Sequence, residues 1–169
     1  MSRTTTSLRV LHDLGLAAWF GGGLMGAVGM NSTARRADDL SERHGLTTHG
    51  WSRWAPFSAA AVGTHLVGAT GLLLADRDQL RDPRARAIAL TKTGLTAGAL
   101  AATLLARSRT RVVEEHVDNP SEGPDQPGTG TPGEFAHAQD TLRVLRWAVP
   151  ALTGGALVLS GVQARRSTQ

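Results

Sequence analysis

A chain of 169 residues with 41% hydrophobic and 19% charged residues has room for one domain, and its mean hydropathy of −0.14 would pass for a soluble protein. The absence of cysteine excludes disulfides, thiolate metal sites, iron–sulfur clusters and cysteine nucleophiles, and three Phe, four Trp and no Tyr leave little for a base-stacking surface. The net charge of +4 comes from 17 Arg and a single Lys, Lys92, against 14 acidic residues; with so much Ala and Gly this bias reflects GC-rich, actinobacterial-type coding, and no nucleic-acid partner is expected.

The apolar residues are gathered into four blocks, and the charges lie between them. The first block, Leu14 to Met30, is uncharged and follows a short stretch carrying Arg3, Arg9, His12 and Asp13. A basic start before an apolar run also fits a signal peptide. The length of the run and the polar pair at its start favour an uncleaved helix over residues 8–30. The polar stretch Ser32–Glu42 reads as a short helix continuing it. The second block, Trp54 to Ala75, holds no Asp, Glu, Lys or Arg and predicts a helix over 54–75. The third, Ala87 to Ala106, is broken only by Lys92 and predicts a helix over 87–106, with Val112–Asp118 as a short extension.

Residues 119–134, NPSEGPDQPGTGTPGE, hold no large apolar side chain and read as a flexible acidic linker. Phe135–Arg146 has Leu142 and Leu145 in helical spacing and leads amphipathically into the uncharged fourth block, Trp147 to Ala164, so the last helix is placed over 143–164.

About 20 mostly apolar residues span a bilayer, whereas a soluble amphipathic helix carries a charge every turn or so on its wet face. Four uncharged or nearly uncharged blocks leave no helix to face water. The expected fold is therefore all-α, a four-transmembrane-helix bundle in the cell membrane, with the lipid bilayer as its first partner. Trp51, Trp54 and Trp147 sit where aromatic residues mark the headgroup level. Pro56 and Pro150 are expected in or near the first turns of their helices, where proline costs least. Small-xxx-small pairs, Gly22 with Gly26 and Gly94 with Gly98, predict close helix packing, and the Gly21–Gly29 face is a candidate homodimer surface.

Four spans put both ends on one side. Arginines number eight on the side of the termini and nine on the other, so the raw count is undecided. Their density in the short segments favours cytoplasmic termini, while Arg107, Arg109 and Arg111 argue against it.

A weak internal repeat aligns Asp13-Leu-Gly-Leu-Ala-Ala18 with Lys92-Thr-Gly-Leu-Thr-Ala97, and Arg53-Trp-Ala-Pro56 with Arg146-Trp-Ala-Val-Pro150. It predicts two repeated helical hairpins in parallel arrangement. It also puts Asp13 and Lys92 at one depth. A charge inside a span normally faces a partner or a cavity, so the two are expected to pair or to share a polar pocket with His12.

His65 lies near the middle of the second block. Histidines on neighbouring membrane helices can hold a haem, but residue counting puts His12 and His65 roughly 9 Å apart in depth, too far for one iron. His65 is expected to hydrogen-bond inside the bundle, through Thr64 or a backbone carbonyl. His44, His49, His116 and His137 have no metal-ligand spacing. No nucleophile triad, phosphate-binding loop or paired carboxylates appear, so no catalytic residue, metal or cofactor is expected.

The runs LRVLHDLGLAAWFGGGLMGAVGMN, WSRWAPFSAAAVGTHLVGATGLLL, TKTGLTAGALAA and LRWAVPALTGGALVLSG together resemble a group of small actinobacterial membrane proteins. That resemblance implies an uncleaved four-helix membrane protein and carries no activity with it. His12 followed by Trp19 and Gly21 resembles an early helix of the copper-resistance CopD type. The rest of that pattern is not present, so copper and haem are not carried over.

Three functions follow as expectations. The first is a non-enzymatic scaffold or accessory subunit with a membrane-complex partner. The second is a small oligomeric transporter or channel using Asp13, Lys92 and His65. The third is a haem-binding redox module.

Overall fold

A computed structural model describes residues 3–30, 40–75, 77–115 and 133–166. All four segments are helical, and no strand occurs among the described residues. Helix α1 runs Arg3–Met25 and ends in a π-helical turn, Gly26–Met30. Helix α2 is Leu40–Ala75, a 3₁₀ turn follows at Arg77–Arg81, α3 is Pro83–Glu115 and α4 is Gly133–Arg166.

The four helices form the expected all-α bundle. The apolar parts of three of them, Arg53–Ala75, Pro83–Arg109 and Asp140–Ala164, are long and apolar enough to cross a membrane, consistent with a membrane protein. Helix α1 is less apolar. Arg9, His12 and Asp13 interrupt its leucines, three consecutive glycines dilute them, and the last residues of its apolar block pass into the π turn.

The helices outrun the apolar blocks. Residues 43–53, expected in a loop, belong to the first third of α2, so the Trp54 end of the block is mid-helix. Pro56 and Pro150 consequently lie inside α2 and α4 rather than in first turns. Each proline withholds one N–H from its helix. Near that level Arg107 Nη2 donates to the Ala55 carbonyl at 3.2 Å, and Thr153 Oγ1 donates to the Val149 carbonyl at 2.8 Å. Most of the expected polar helix 32–42 and of the linker 119–134 lies outside the described residues, as do 116–118 of the extension after α3; Gly133 and Glu134 open α4.

Asp82 and Pro83 start α3 together. Proline is pre-set for a first helical position. Asp82 caps it, with Oδ1 accepting from the Arg84 N–H at 3.2 Å, Oδ2 from the Ala85 N–H at 3.3 Å, and its carbonyl from the Arg86 N–H at 3.0 Å.

Helix α1 packs on α2 and α4, and α3 packs on α4. The closest approach is between α1 and α2. A Cβ on Gly15 would fall on backbone atoms of His65 and Ala61, and one on Gly68 on backbone atoms of His12 and Leu8. Gly71 receives the Leu8 side chain and Gly22 the Trp54 ring. The register runs antiparallel, with Leu8 opposite Gly71 and Gly22 opposite Trp54. Trp54 thus fills a slot in α1 and stacks on Phe57 (5.8 Å, 27°) instead of serving only as an interfacial marker.

Side chains also reach across the small-residue seams around α4. Gly154 faces Phe20, Gly23 faces Val149 and Pro150, and Gly98 faces Leu152. Gly22 and Gly23, on the candidate dimer face, are therefore used within the chain, while Gly21 is open. Leu16, Trp19, Ala61, Ala99 and Ala156 form the core at the centre. Alanines there let the helices close in, which suits packing where van der Waals contact supplies the attraction.

The architecture is two antiparallel hairpins, α1–α2 and α3–α4, joined along α1 and α4. The aligned glycines of the repeat have different surroundings: Gly15 seats against the α2 backbone, whereas nothing lies within 4 Å of a Cβ at Gly94.

Candidate functional site

The polar residues singled out along the chain gather near the end of the bundle where α1 begins. His12 and His65 are 4% and 1% exposed, and their rings are 4.6 Å apart. They lie at one level, not offset in depth. The expected offset assumed that the first span and the end of the second block share an edge. The register puts Leu8 opposite Gly71, inside the second block, and this brings Gly68 over His12 and His65 over Gly15.

Hydrogen bonds give the pair a direction. A carbonyl only accepts, so His65 Nδ1 donates to the His12 carbonyl at 3.2 Å. In a neutral imidazole Nε2 then accepts, and the Thr96 hydroxyl donates to it at 3.2 Å. His12 Nδ1 donates to Asp13 Oδ1 at 2.8 Å. His65, on α2, is thereby bonded to α1 and α3 at once. Its partner is a backbone carbonyl, as expected, but the second partner is Thr96 rather than Thr64.

Trp19 borders the histidines, with its ring centroid 6.1 Å from that of His65. It is 3% exposed, and its Nε1 is buried without a hydrogen-bond partner among the described residues. With both His65 nitrogens engaged and the rings in contact, the pair does not present two free nitrogens to an iron between them. Among the described residues no three His, Asp or Glu side chains converge to hold a metal ion.

Asp13 and Lys92 come to the same level without forming an ion pair. Lys92 Nζ donates to Gln163 Oε1 of α4 at 3.5 Å, and the Asp13 carboxylate, half exposed, takes His12. The two charges are near enough to feel each other. The direct ion pair, one of the two arrangements expected for them, is not formed. A double-mutant cycle on Asp13→Asn and Lys92→Gln is expected to give a coupling below about 0.5 kcal/mol, because the two make no direct contact and the Asp13 carboxylate is half exposed. A coupling several times larger, read from thermal unfolding in detergent, would restore the direct pair.

Thr96, Trp19 and Gln163 were not among the expected site residues. The signals were present. Gln163 is the one amide in the uncharged fourth block, and Thr96 lies one helical turn after Lys92. Comparison with protein-family models, with curated proteins and with solved structures gives no match for this chain.

Proposed function

We propose that this chain is a multi-pass protein of the cell membrane with both termini in the cytoplasm, and that it acts without catalysis as a scaffold or accessory subunit of a membrane complex. The observation that carries this reading is the closure of the polar cluster on itself. His65 bonds to α1 and, through Thr96, to α3 of the other hairpin, while His12 bonds to Asp13 within α1 and Lys92 to Gln163 within the second hairpin. Buried polar groups in an apolar surrounding seek partners, and His65 and Lys92 find theirs within the chain, while Trp19 Nε1 does not. Large apolar side chains such as Leu14, Phe57, Leu90, Leu104 and Val158 point outward, a surface suited to lipid or to other membrane helices.

The test is native mass spectrometry of the tagged chain extracted from its own host in mild detergent. The expected result is a second protein at fixed stoichiometry. A mass of one bare chain under conditions that preserve known complexes of that membrane would sink the reading.

A second reading, a small oligomeric transporter or channel, is favoured by one observation. Asp13 is half exposed beside Lys92, which gives the cluster a polar edge towards the bundle exterior. Under that reading the protein is a homodimer, and Lys92→Gln abolishes ion flux in proteoliposomes while leaving the dimer intact.

A further inference from the structure

The turn end of the bundle gathers exposed arginines in a short stretch. At the end where α1 begins and α2 turns into α3, Arg3, Arg77, Arg81, Arg84 and Arg86 are exposed. The carboxylates described at this end are engaged. Asp82 caps the α3 backbone and Asp13 takes His12. Asp78 reaches only Arg81, at 3.4 Å, with both side chains almost fully exposed. Arg3, Arg77, Arg84 and Arg86 meet no carboxylate among the described residues.

At the opposite end Arg53 is exposed, Arg107 donates to the Ala55 carbonyl, and Arg143 lies 3.3 Å from Asp140, with both of those side chains largely exposed.

The exposed arginines also sit at a defined height. The membrane-length part of α2 ends at Ala75, and the apolar run of α3 begins at Ala87, within its Pro83–Arg109 span, so Arg77 and Arg81 lie between the two spans and Arg84 and Arg86 in the first turn of the second. In a bilayer that height is the phosphate layer. Arg pairs with phosphate through two parallel N–H donors. Clustered basic residues beside membrane helices are held by anionic lipid, with strength that adds over the cluster.

We propose that the turn end of the bundle, built by Arg77, Arg81, Arg84 and Arg86 with Arg3 beside them, is a binding surface for the headgroups of anionic phospholipids. The proposal rests on the chain being a membrane protein and says nothing of its protein partner. It places the turn end in the leaflet richer in anionic lipid.

The experiment is native mass spectrometry of the full chain in mild detergent. It is titrated with phosphatidylglycerol or with phosphatidylcholine of the same acyl chains. The wild-type chain is expected to retain phosphatidylglycerol at least tenfold more strongly. Arg77→Gln, Arg81→Gln, Arg84→Gln and Arg86→Gln together are expected to bring the two lipids level. Arg53→Gln, Arg107→Gln and Arg143→Gln, at the other end, are expected to leave the preference standing.

Equal retention of both lipids by the wild-type chain overturns the proposal without any variant having to fold. So does equal loss of preference on altering either end. Displacement of phosphatidylglycerol by millimolar inorganic phosphate would assign the surface to free phosphate and also overturn it. Failure of the membrane reading looks different: the chain would then leave washed membranes without detergent.

Discussion

Replacing Gly68 with alanine is expected to loosen or break the α1–α2 hairpin, while the same change at Gly63, on the same helix, is expected to be harmless. The added methyl at Gly68 would fall on the backbone N and Cα of His12 and on the Leu8 carbonyl. No side chain there can rotate away, so one helix must move. Overpacking of this kind costs about 1–3 kcal/mol, and more where backbone is the obstacle. At Gly63 nothing lies within 4 Å, and alanine gains up to about 1 kcal/mol of helix propensity. Both variants gain that propensity, so the difference between them isolates the close approach. Loss of helical signal on heating in detergent, followed by circular dichroism, reads it directly. Equal unfolding temperatures for the two variants would show that α1 and α2 do not approach as described. Gly15, which seats against the backbone of His65 and Ala61, is expected to behave like Gly68.

The second large effect is expected at His65. Two separate costs can be distinguished by magnitude. Interhelical hydrogen bonds in membrane proteins contribute about 0.6 kcal/mol each on average, because the alternative state also finds partners. Losing both bonds of His65 therefore costs roughly 1 kcal/mol. Removing the ring also leaves a cavity between His12, Trp19 and Thr96, and truncation of a large buried side chain to alanine costs about 2–5 kcal/mol. His65→Ala is thus expected to lower stability by about 3 kcal/mol, and Thr96→Val by only about 0.6 kcal/mol.

The same pair of variants bears on function. If the cluster is a lock between hairpins, His65→Ala is expected to lose stability and partner binding together. A stably folded His65→Ala that keeps its partner but loses ion flux would instead select the transporter reading. Unfolding temperature and partner retention, measured on one preparation, separate the two.

Much of the fold was legible in the chain because membrane-length apolar blocks are a one-dimensional signal. Leu14–Met30, Trp54–Ala75, Ala87–Ala106 and Trp147–Ala164 each show as a run without a charged face, and each lies on a helix. Helix ends were less legible. Residues 43–53 are polar, yet they are helical, since a polar stretch attached to a long helix can continue its hydrogen-bond ladder in water. Nothing in hydropathy marks where such a ladder stops. The Asp82-Pro83 pair is the exception, a local cap whose chemistry is written in two residues.

Residue order alone shows a helical protein whose charges lie between apolar blocks, with few polar side chains inside or at the edge of those blocks. His12, Asp13, His65 and Lys92 stand out for that reason. How they meet is a matter of packing. The meeting depends on the register between α1 and α2, which is set where Gly15 and Gly68 let two backbones touch. That register brings His12 level with His65, and the packing of α4 gives Lys92 to Gln163 instead of Asp13. Arginine counting left the two ends of the bundle balanced. Distances between groups far apart in sequence follow from how helices slide and turn against one another, and residue spacing along one helix carries no record of that.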